Sequence, residues 1–339
     1  MLKEDGNNLE MNKIKSLIIG CGKIAGLYED DKSPYIYSHS RAITMNNDYD
    51  LISCCDVDLV KAKRLATKYN IPNYSDDFLK QIEENKIDVV SVCSSDDTHF
   101  VITKNILENK FVPKVIFLEK PACNKIEEFD ELLDLSKKRN VLIIVNHSRR
   151  FDDNHIIIKQ LISEKFFGKL FRIDIYYYSG WEHNGIHIID TLNFLFNDEL
   201  EIKNIFSIQK SPYFGDYTAD FELRFKNNRG IVYLNGIDEN FYQLFEFDMK
   251  FDKSRLRIED FGKRIIFEKK IINEMKENVL ITGKLKLKKE ESSPMQNAYK
   301  YIKEYLFNNN EEVKEYSLEN IYKTMSLIWE GKQWIKKLI

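Results

Sequence analysis

Five apolar runs of strand length occupy the first 145 residues and restrict the possible folds more than any other feature. They are Ile14 to Ile19, Leu51 to Cys55, Ile87 to Cys93, Lys114 to Leu118 and Val141 to Val145. Between them, Leu59 to Tyr69, Thr98 to Asn109 and Ile126 to Lys138 place apolar residues at helical spacing. A strand that is apolar on both faces has to be covered on both faces. Helices of about 10–15 residues between successive strands supply that cover. The pattern predicts a parallel sheet with helices on each side.

The period changes near residue 150. A helix over Asn154 to Glu164 leads into Leu170 to Tyr178, where apolar and polar residues alternate with period two. Further alternating segments follow at Ile202 to Gln209, Tyr217 to Phe225, Gly230 to Asn235, Tyr242 to Phe251, Arg255 to Glu259 and Arg264 to Lys269. Asn227 to Gly230 has hairpin-turn chemistry. Strands that follow one another without helices between them predict a mostly antiparallel sheet covered on one face. Two helices, about Pro294 to Phe307 and Ser317 to Lys337, close the chain. The expected division is a polar lead-in at 1–12, a first domain at 13–150 and a second at 151–339.

Directly after the first strand, Gly20-Cys21-Gly22-Lys23-Ile24-Ala25 fits the pattern G-x-G-x-x-G/A. Gly20 permits a tight turn, Gly22 lets the backbone approach a pyrophosphate, and Ala25 allows close helix–strand packing. The amides at the start of a following helix would then bind the phosphates. The pattern predicts a Rossmann-type dinucleotide site, although strand–glycine–helix turns are common on their own. Asp56, at the end of the second strand, is the expected partner of the ribose hydroxyls. It lies further on than the usual ~20 residues, because a tyrosine-rich insertion from Tyr28 to Ser38 intervenes. A carboxylate there repels a 2′-phosphate, which favours NAD over NADP. An aspartate beginning a helix after a strand is the plainer alternative.

Two further clusters carry chemistry. Glu119-Lys120-Pro121 ends a strand of the same sheet, at the edge where ligands collect. A lysine there can hydrogen-bond a substrate hydroxyl and favour the alkoxide, although a Lys before a Pro is most often an exposed loop residue. The second cluster is Trp181-Glu182-His183-Asn184-Gly185-Ile186-His187-Ile188-Ile189-Asp190. Ile186 to Phe196 reads as an amphipathic helix, so His187 and Asp190 share a face. Histidine suits proton transfer near neutral pH. Zinc on His183 and His187 would need a third ligand, and Asn184 stands where metalloproteases carry Glu; no metal is expected. Trp329 and Trp334 read as packing residues.

Composition narrows the partners. Of the residues 43% are hydrophobic and 31% charged, and the net charge is −3, which gives no electrostatic reason to expect nucleic acid. No apolar run approaches the ~18–20 residues of a membrane span, and the N-terminus has no apolar signal core. The five cysteines form no CxxC pair. Reduced thiols in a cytoplasmic protein are the expectation.

The ordered set GCGKIA, Asp56, Glu-Lys-Pro and H-x-x-x-H-x-x-D resembles the Gfo/Idh/MocA oxidoreductases over nearly the whole chain. The resemblance implies an α/β protein. Its parts would be a Rossmann doubly wound parallel sheet and a C-terminal α/β domain with an open, mostly antiparallel sheet that makes dimers or tetramers. It implies hydride transfer between a nicotinamide and a hydroxyl or keto carbon of a sugar, cyclitol or sugar nucleotide, with glycan-precursor synthesis as one setting. Lys120 corresponds to the family's active-site lysine and His187 to its acid/base. His183 falls where many members carry Asp and is expected near the substrate with Trp181 and Asp190. Ser94 to His99 occupies the place of a Thr-Pro-x-x-x-His segment beside the cofactor, with Ser95-Asp96 replacing the Thr-Pro pair, Ser94 and Ser95 expected at the cofactor and His99 orienting the loop. Asn146 to Phe151 resembles a segment ending in Arg-Phe that enters the substrate pocket, with Arg150 as its candidate. The same fold also occurs in non-catalytic NAD(P)-binding regulators, and a zinc hydrolase is the remaining alternative.

Overall fold

The computed structural model describes residues 13–30, 32–227, 230–288 and 292–339. The lead-in at 1–12 lies outside the described residues, as do Asn228 and Arg229 of the expected hairpin turn. In chain order the elements begin with β1 (Ile14–Ile19), α1 (His39–Thr44), β2 (Tyr49–Cys55), α2 (Leu59–Tyr69), β3 (Asn73–Ser75) and α3 (Phe78–Asn85). Then come β4 (Val89–Val92), α4 (His99–Glu108), β5 (Val115–Leu118), α5 (Ile126–Arg139), β6 (Leu142–Val145), α6 (Asp153–Ser163), β7 (Leu170–Tyr177) and α7 (Ile186–Phe196). The remainder are β8 (Leu200–Lys210), β9 (Tyr217–Phe225), β10 (Ile231–Gly236), β11 (Glu246–Phe251), β12 (Ser254–Glu259), β13 (Arg264–Ile272), β14 (Asn278–Thr282), α8 (Pro294–Asn308) and α9 (Tyr322–Leu338).

Two compact units result. The first takes the described residues up to 124 with 128–146 and 295–317, and the second takes 125–127, 147–294 and 318–339. In the first, six parallel strands run in the order β3-β2-β1-β4-β5-β6. The chain moves outward in opposite directions from β1 and β4, so their C-terminal ends form the switch point of a doubly wound sheet. Every residue of β4 and β5 is buried, as strands covered on both faces must be. Asp58 caps α2 by accepting from the amides of Val60 and Lys61, and Asn70 ends it in the left-handed region. The three-residue strand β3 and the helix α3 have no separate place in the sequence pattern, because both are short and largely polar.

Residues 295–317 belong to this first unit, whereas sequence order alone assigns them to the C-terminal domain. The reason is Tyr299. Its ring is wholly buried edge-on against Tyr49, Phe117 and His39, with centroids 5.5, 5.4 and 5.9 Å away.

The second unit is built on eight strands in the order β14-β13-β12-β11-β7-β10-β9-β8. Every pairing is antiparallel except β7 with β10. Period two is visible in β11, where Phe247, Met249 and Phe251 turn inward. Helix α7, with eight of its residues buried, packs against both α6 and α9. On the other face of the sheet Asp174 pairs with Arg172 and Lys250, and Asp248 with Lys250 and Arg255. Among the described residues no helix is long and apolar enough to cross a membrane.

Candidate active site

The glycine loop leaves β1 with Gly20 at φ +88°, its amide donating to the Cys55 carbonyl at 2.7 Å. A Cβ on Gly20 would lie 2.5 Å from the Ser94 nitrogen, so the close approach of two strand ends demands glycine. Gly22 differs. A Cβ there would meet no protein atom within 4 Å, and the residue borders a cleft of about 650 Å³. The protein's own packing therefore does not require glycine at 22. What a side chain would fill is the cleft, which is the fit a dinucleotide needs.

Asp56 lines the same cleft, with one oxygen accepting from the Cys21 amide at 2.7 Å and the other from the Asp58 amide at 2.8 Å. Ser94, Ser95, Asp76, Asp97 and Lys61 also face it. Lys23, Ile24 and Ala25 are not among its lining: Lys23 is exposed and Ala25 is wholly buried.

The expected helix after the glycines does not form. Residues 23–28 are turns, closed by Gly26 N to Lys23 O at 3.1 Å and Leu27 N to Gly22 O at 3.2 Å. Gly26 lies at φ +125°, and its carbonyl accepts from Lys68 Nζ and the Tyr69 hydroxyl, both at 3.1 Å. The carbonyl is thereby turned away from a helical ladder, and the first regular helix is α1. The inserted residues fold back onto this corner through Glu29, which accepts from the Tyr37 amide and the Ser38 hydroxyl.

Glu119, Lys120 and Pro121 follow β5, and the Lys120–Pro121 peptide is cis. Glu119 is anchored by its amide, which donates to Val92 O at 3.0 Å. Its carboxylate accepts from His39 Nε2 at 2.9 Å and Asn146 Nδ2 at 2.6 Å. Burial pushes this carboxyl up, but His39, Asn146 and the Lys120 charge outweigh it and hold it below its ordinary range. The other nitrogen of His39 pairs with the Tyr299 hydroxyl at 2.7 Å, and that hydroxyl with Ser91 Oγ at 2.7 Å. A buried chain thus runs from Ser91 through Tyr299 and His39 to the residue beside Lys120. His99 performs the related task on the other side. Its Nδ1 lies 2.6 Å from Pro121 O and its Nε2 3.1 Å from Ser94 O. One buried ring joins the lysine turn to the lining of the cleft.

In the second unit Trp181 to Gly185 form one π-helical turn leading into α7. Such turns are rare and recur at functional sites. Asp216 holds this turn by accepting from the amides of Glu182 at 3.1 Å and His183 at 3.0 Å. Burial raises the Asp216 carboxyl despite those amides. The His183 ring stacks on Tyr213 with centroids 3.7 Å apart. His187 is half-buried in the first turn of α7, a helix most of whose side chains are buried, and its ring faces that of His147 edge-on at 6.3 Å. Three expected substrate contacts turn inward instead. Trp181 is wholly buried, its Nε1 donating to Ile328 O at 2.8 Å. Arg150 and Asp190, 4% and 1% exposed, are engaged with each other. Burial pushes Asp190 up, but Arg150, His147 and Thr324 bring it below its ordinary range. Trp181 and Asp190 lie inside because the indole packs on Phe221, with centroids 4.2 Å apart, and the carboxylate pairs with Arg150. Among the described residues no three His, Cys, Asp or Glu side chains gather as a metal site.

Several residues of these networks carry no signal in the sequence. Tyr299 lies 260 positions from His39, and only the fold brings them together. His147 and Asn146 stand inside a segment whose arginines draw attention first.

Residues 14–147 match the model of the oxidoreductase family with an NAD-binding Rossmann fold. Over these residues the chain is similar to the Gfo/Idh/MocA oxidoreductases, and the matched part is their NAD-binding Rossmann fold. Over 152 residues it is 26% identical to the myo-inositol 2-dehydrogenase of Thermotoga maritima, covering 45% of this chain and 41% of that one. Over 158 residues it is 27% identical to the D-glucoside 3-dehydrogenase of Escherichia coli, covering 47% and 41%. The matched part thus spans about two fifths of the length of these curated relatives. A 3-ketoreductase from Actinomadura kijaniata, crystallised with NADP and TDP-benzene, has a TM-score of 0.73 at 12% identity, covering 94% of this chain and 96% of that one. An Agrobacterium radiobacter oxidoreductase bound to NAD+, L-tartaric acid and magnesium gives 0.69 at 14%, covering 93% and 94%. At these identities the likeness establishes the fold.

Proposed function

We propose that this protein is an NAD(P)-dependent dehydrogenase acting on a hydroxyl carbon, or the corresponding keto carbon, of a sugar, cyclitol or sugar nucleotide. The observation that carries the reading is the buried His99 ring, which sits between the carbonyls of Pro121 and of cleft-lining Ser94, 2.6 Å from its Nδ1 and 3.1 Å from its Nε2. Cofactor cleft and lysine turn are built as one rigid corner. Relatives named as inositol, glucoside and xylose dehydrogenases support the substrate class.

Bound NAD(P) supplies the hydride acceptor or donor. The chain's own residues would hold the cofactor with the Gly20–Gly22 loop and Asp56, and handle charge and proton. The Lys120 ammonium donates to the substrate oxygen and stabilises the alkoxide character that develops there. His187 accepts the hydroxyl proton in oxidation and returns it in reduction. Arg150, Asp190 and His147 act behind His187 as a fixed support. Asp56, Asp76 and Asp97 face the cleft against one cation, Lys61, which supports NAD over NADP. We further infer that a second copy pairs through the open face of the eight-stranded sheet. The five cysteines are all buried, and the proposed setting for their thiols is a reducing cytoplasm.

The test is turnover of NAD and NADH against free sugars, inositols and sugar nucleotides, with Lys120→Ala and His187→Ala beside the wild type. Lys120→Ala is expected to lose several orders in kcat while its NAD affinity changes little. Undiminished activity in Lys120→Ala sinks the assignment.

A further inference from the structure

Arg149 and Arg150 are neighbours on the turn Ser148–Phe151, yet their surroundings are opposite. Arg150 directs Nε and Nη2 onto the Asp190 carboxylate at 2.9–3.1 Å. Arg149 is half-buried, and its guanidinium makes no hydrogen bond or ion pair with any described residue. It lies instead over the Phe245 ring, 4.1 Å from the centroid. Phe245 stacks on Phe261 at 6.1 Å and 13°, and Tyr178 meets Phe261 edge-on at 6.1 Å. Phe261 itself is held at φ +57°, a left-handed conformation that a bulky side chain adopts only when its surroundings impose it.

The acids closest to hand already have partners. Asp152 pairs with His155 at 2.7 Å, and Asp190 with Arg150 at 2.9 Å. Burial pushes the Arg149 guanidinium down to about 10, against the upward pull of Asp152, Asp190 and Tyr178. A partly desolvated cation with no acceptor in the protein leaves its N–H donors available to a further partner. The aromatic contact anchors the plane of the group without using any of its N–H donors. What remains is a planar fork that matches two oxygens of one anion.

We propose that Arg149 is a recognition site for an anionic group on the substrate, a carboxylate or a phosphate. The inference rests on the dehydrogenase reading for the word substrate, but anion binding at Arg149 can be measured without turnover. It also moves the recognition role expected of Arg150 to its neighbour.

The experiment is calorimetric titration of the full chain, saturated with NAD, with D-glucuronate, D-glucose 1-phosphate, UDP-glucose and neutral D-glucose. Wild type, Arg149→Met and Arg149→Lys are compared, Met keeping the apolar stem against Phe245. Wild type is expected to bind at least one anionic probe about tenfold or more tighter than glucose. Arg149→Met should lose that preference, and Arg149→Lys should recover only part of it, since an ammonium is a point charge. The probe whose binding falls identifies carboxylate or phosphate as the group. Unchanged anion binding in Arg149→Met overturns the proposal, as does a wild type that prefers no anion to glucose. If Arg149→Met does not fold, Arg149→Lys decides, and a wild-type anion preference in it overturns the proposal. An Arg149-dependent anion preference with no nicotinamide redox change for any bound probe would uphold Arg149 and overturn the dehydrogenase reading instead.

Discussion

His39 Nε2 donates to Glu119 Oε1 at 2.9 Å, from a ring that is wholly buried, one residue before Lys120. The bond sets where the Lys120 backbone begins, and it is itself set by the Tyr299 hydroxyl, 2.7 Å from the other His39 nitrogen. Tyr299→Phe removes that hydroxyl and leaves Ser91 Oγ and His39 Nδ1 without it. The expected cost is about 1–3 kcal/mol of stability, the usual penalty for an unsatisfied buried polar group. Urea unfolding measures it. Turnover should fall more than NAD affinity does, because the disturbed element is the lysine turn.

Gly20 and Gly22 should separate folding from cofactor binding. Gly22→Val starts from a Cβ position with no protein atom within 4 Å, so its melting temperature should stay near wild type while NAD binding is lost. Gly20→Ala forces a Cβ to within 2.5 Å of the Ser94 backbone at φ +88°, and its melting temperature should drop clearly. Differential scanning calorimetry with and without NAD checks both. A Gly22→Val protein that binds NAD normally would remove the cleft from consideration.

The Arg150–Asp190 pair is buried, so removing one partner strands a charge. Asp190→Asn or Arg150→Met alone should cost about 3–5 kcal/mol. Replacing both by apolar residues should cost much less than the sum of the single changes. Thermal unfolding of the four proteins forms the cycle, and additivity within about 0.5 kcal/mol would show that the pair is not coupled.

The carboxyls of Glu119 and Asp190 are both held below their ordinary values in the folded chain. A depressed folded pKa means the unfolded state binds the proton more readily. The stability they contribute is therefore complete above the unfolded carboxylate range of about 4 and lost as pH falls below it. Stability measured by urea titration should decline as pH falls below about 4. In Asp190→Asn that decline should be shallower. An equally steep decline in the variant would assign acid lability to other groups.

Much of the fold was legible because period is a local property. Helices α2 and α7 and strands β1 and β9 lie at the residues where periodicity places them. Local cues also picked out Gly20 and Asp56, which border one cleft, and the Glu-Lys-Pro turn that follows β5. Less legible was anything that depends on which polar partner arrives from elsewhere. The turn at 23–28 replaces a helix because Lys68 and Tyr69, more than forty residues on, capture the Gly26 carbonyl. Of two adjacent arginines, the one engaged by Asp190 could not be told from the one lying over Phe245.

The sequence by itself determined the two sheets, the glycine loop and the residue types available for chemistry. Those follow from hydrophobic spacing and from conformations that only glycine adopts readily. The tertiary structure alone decided that Tyr299 belongs with His39, that Trp181 and Asp190 face inward, and that Arg149 keeps its donors open. These depend on contacts between residues distant in the chain, which burial selects once the apolar faces close and which no local pattern encodes.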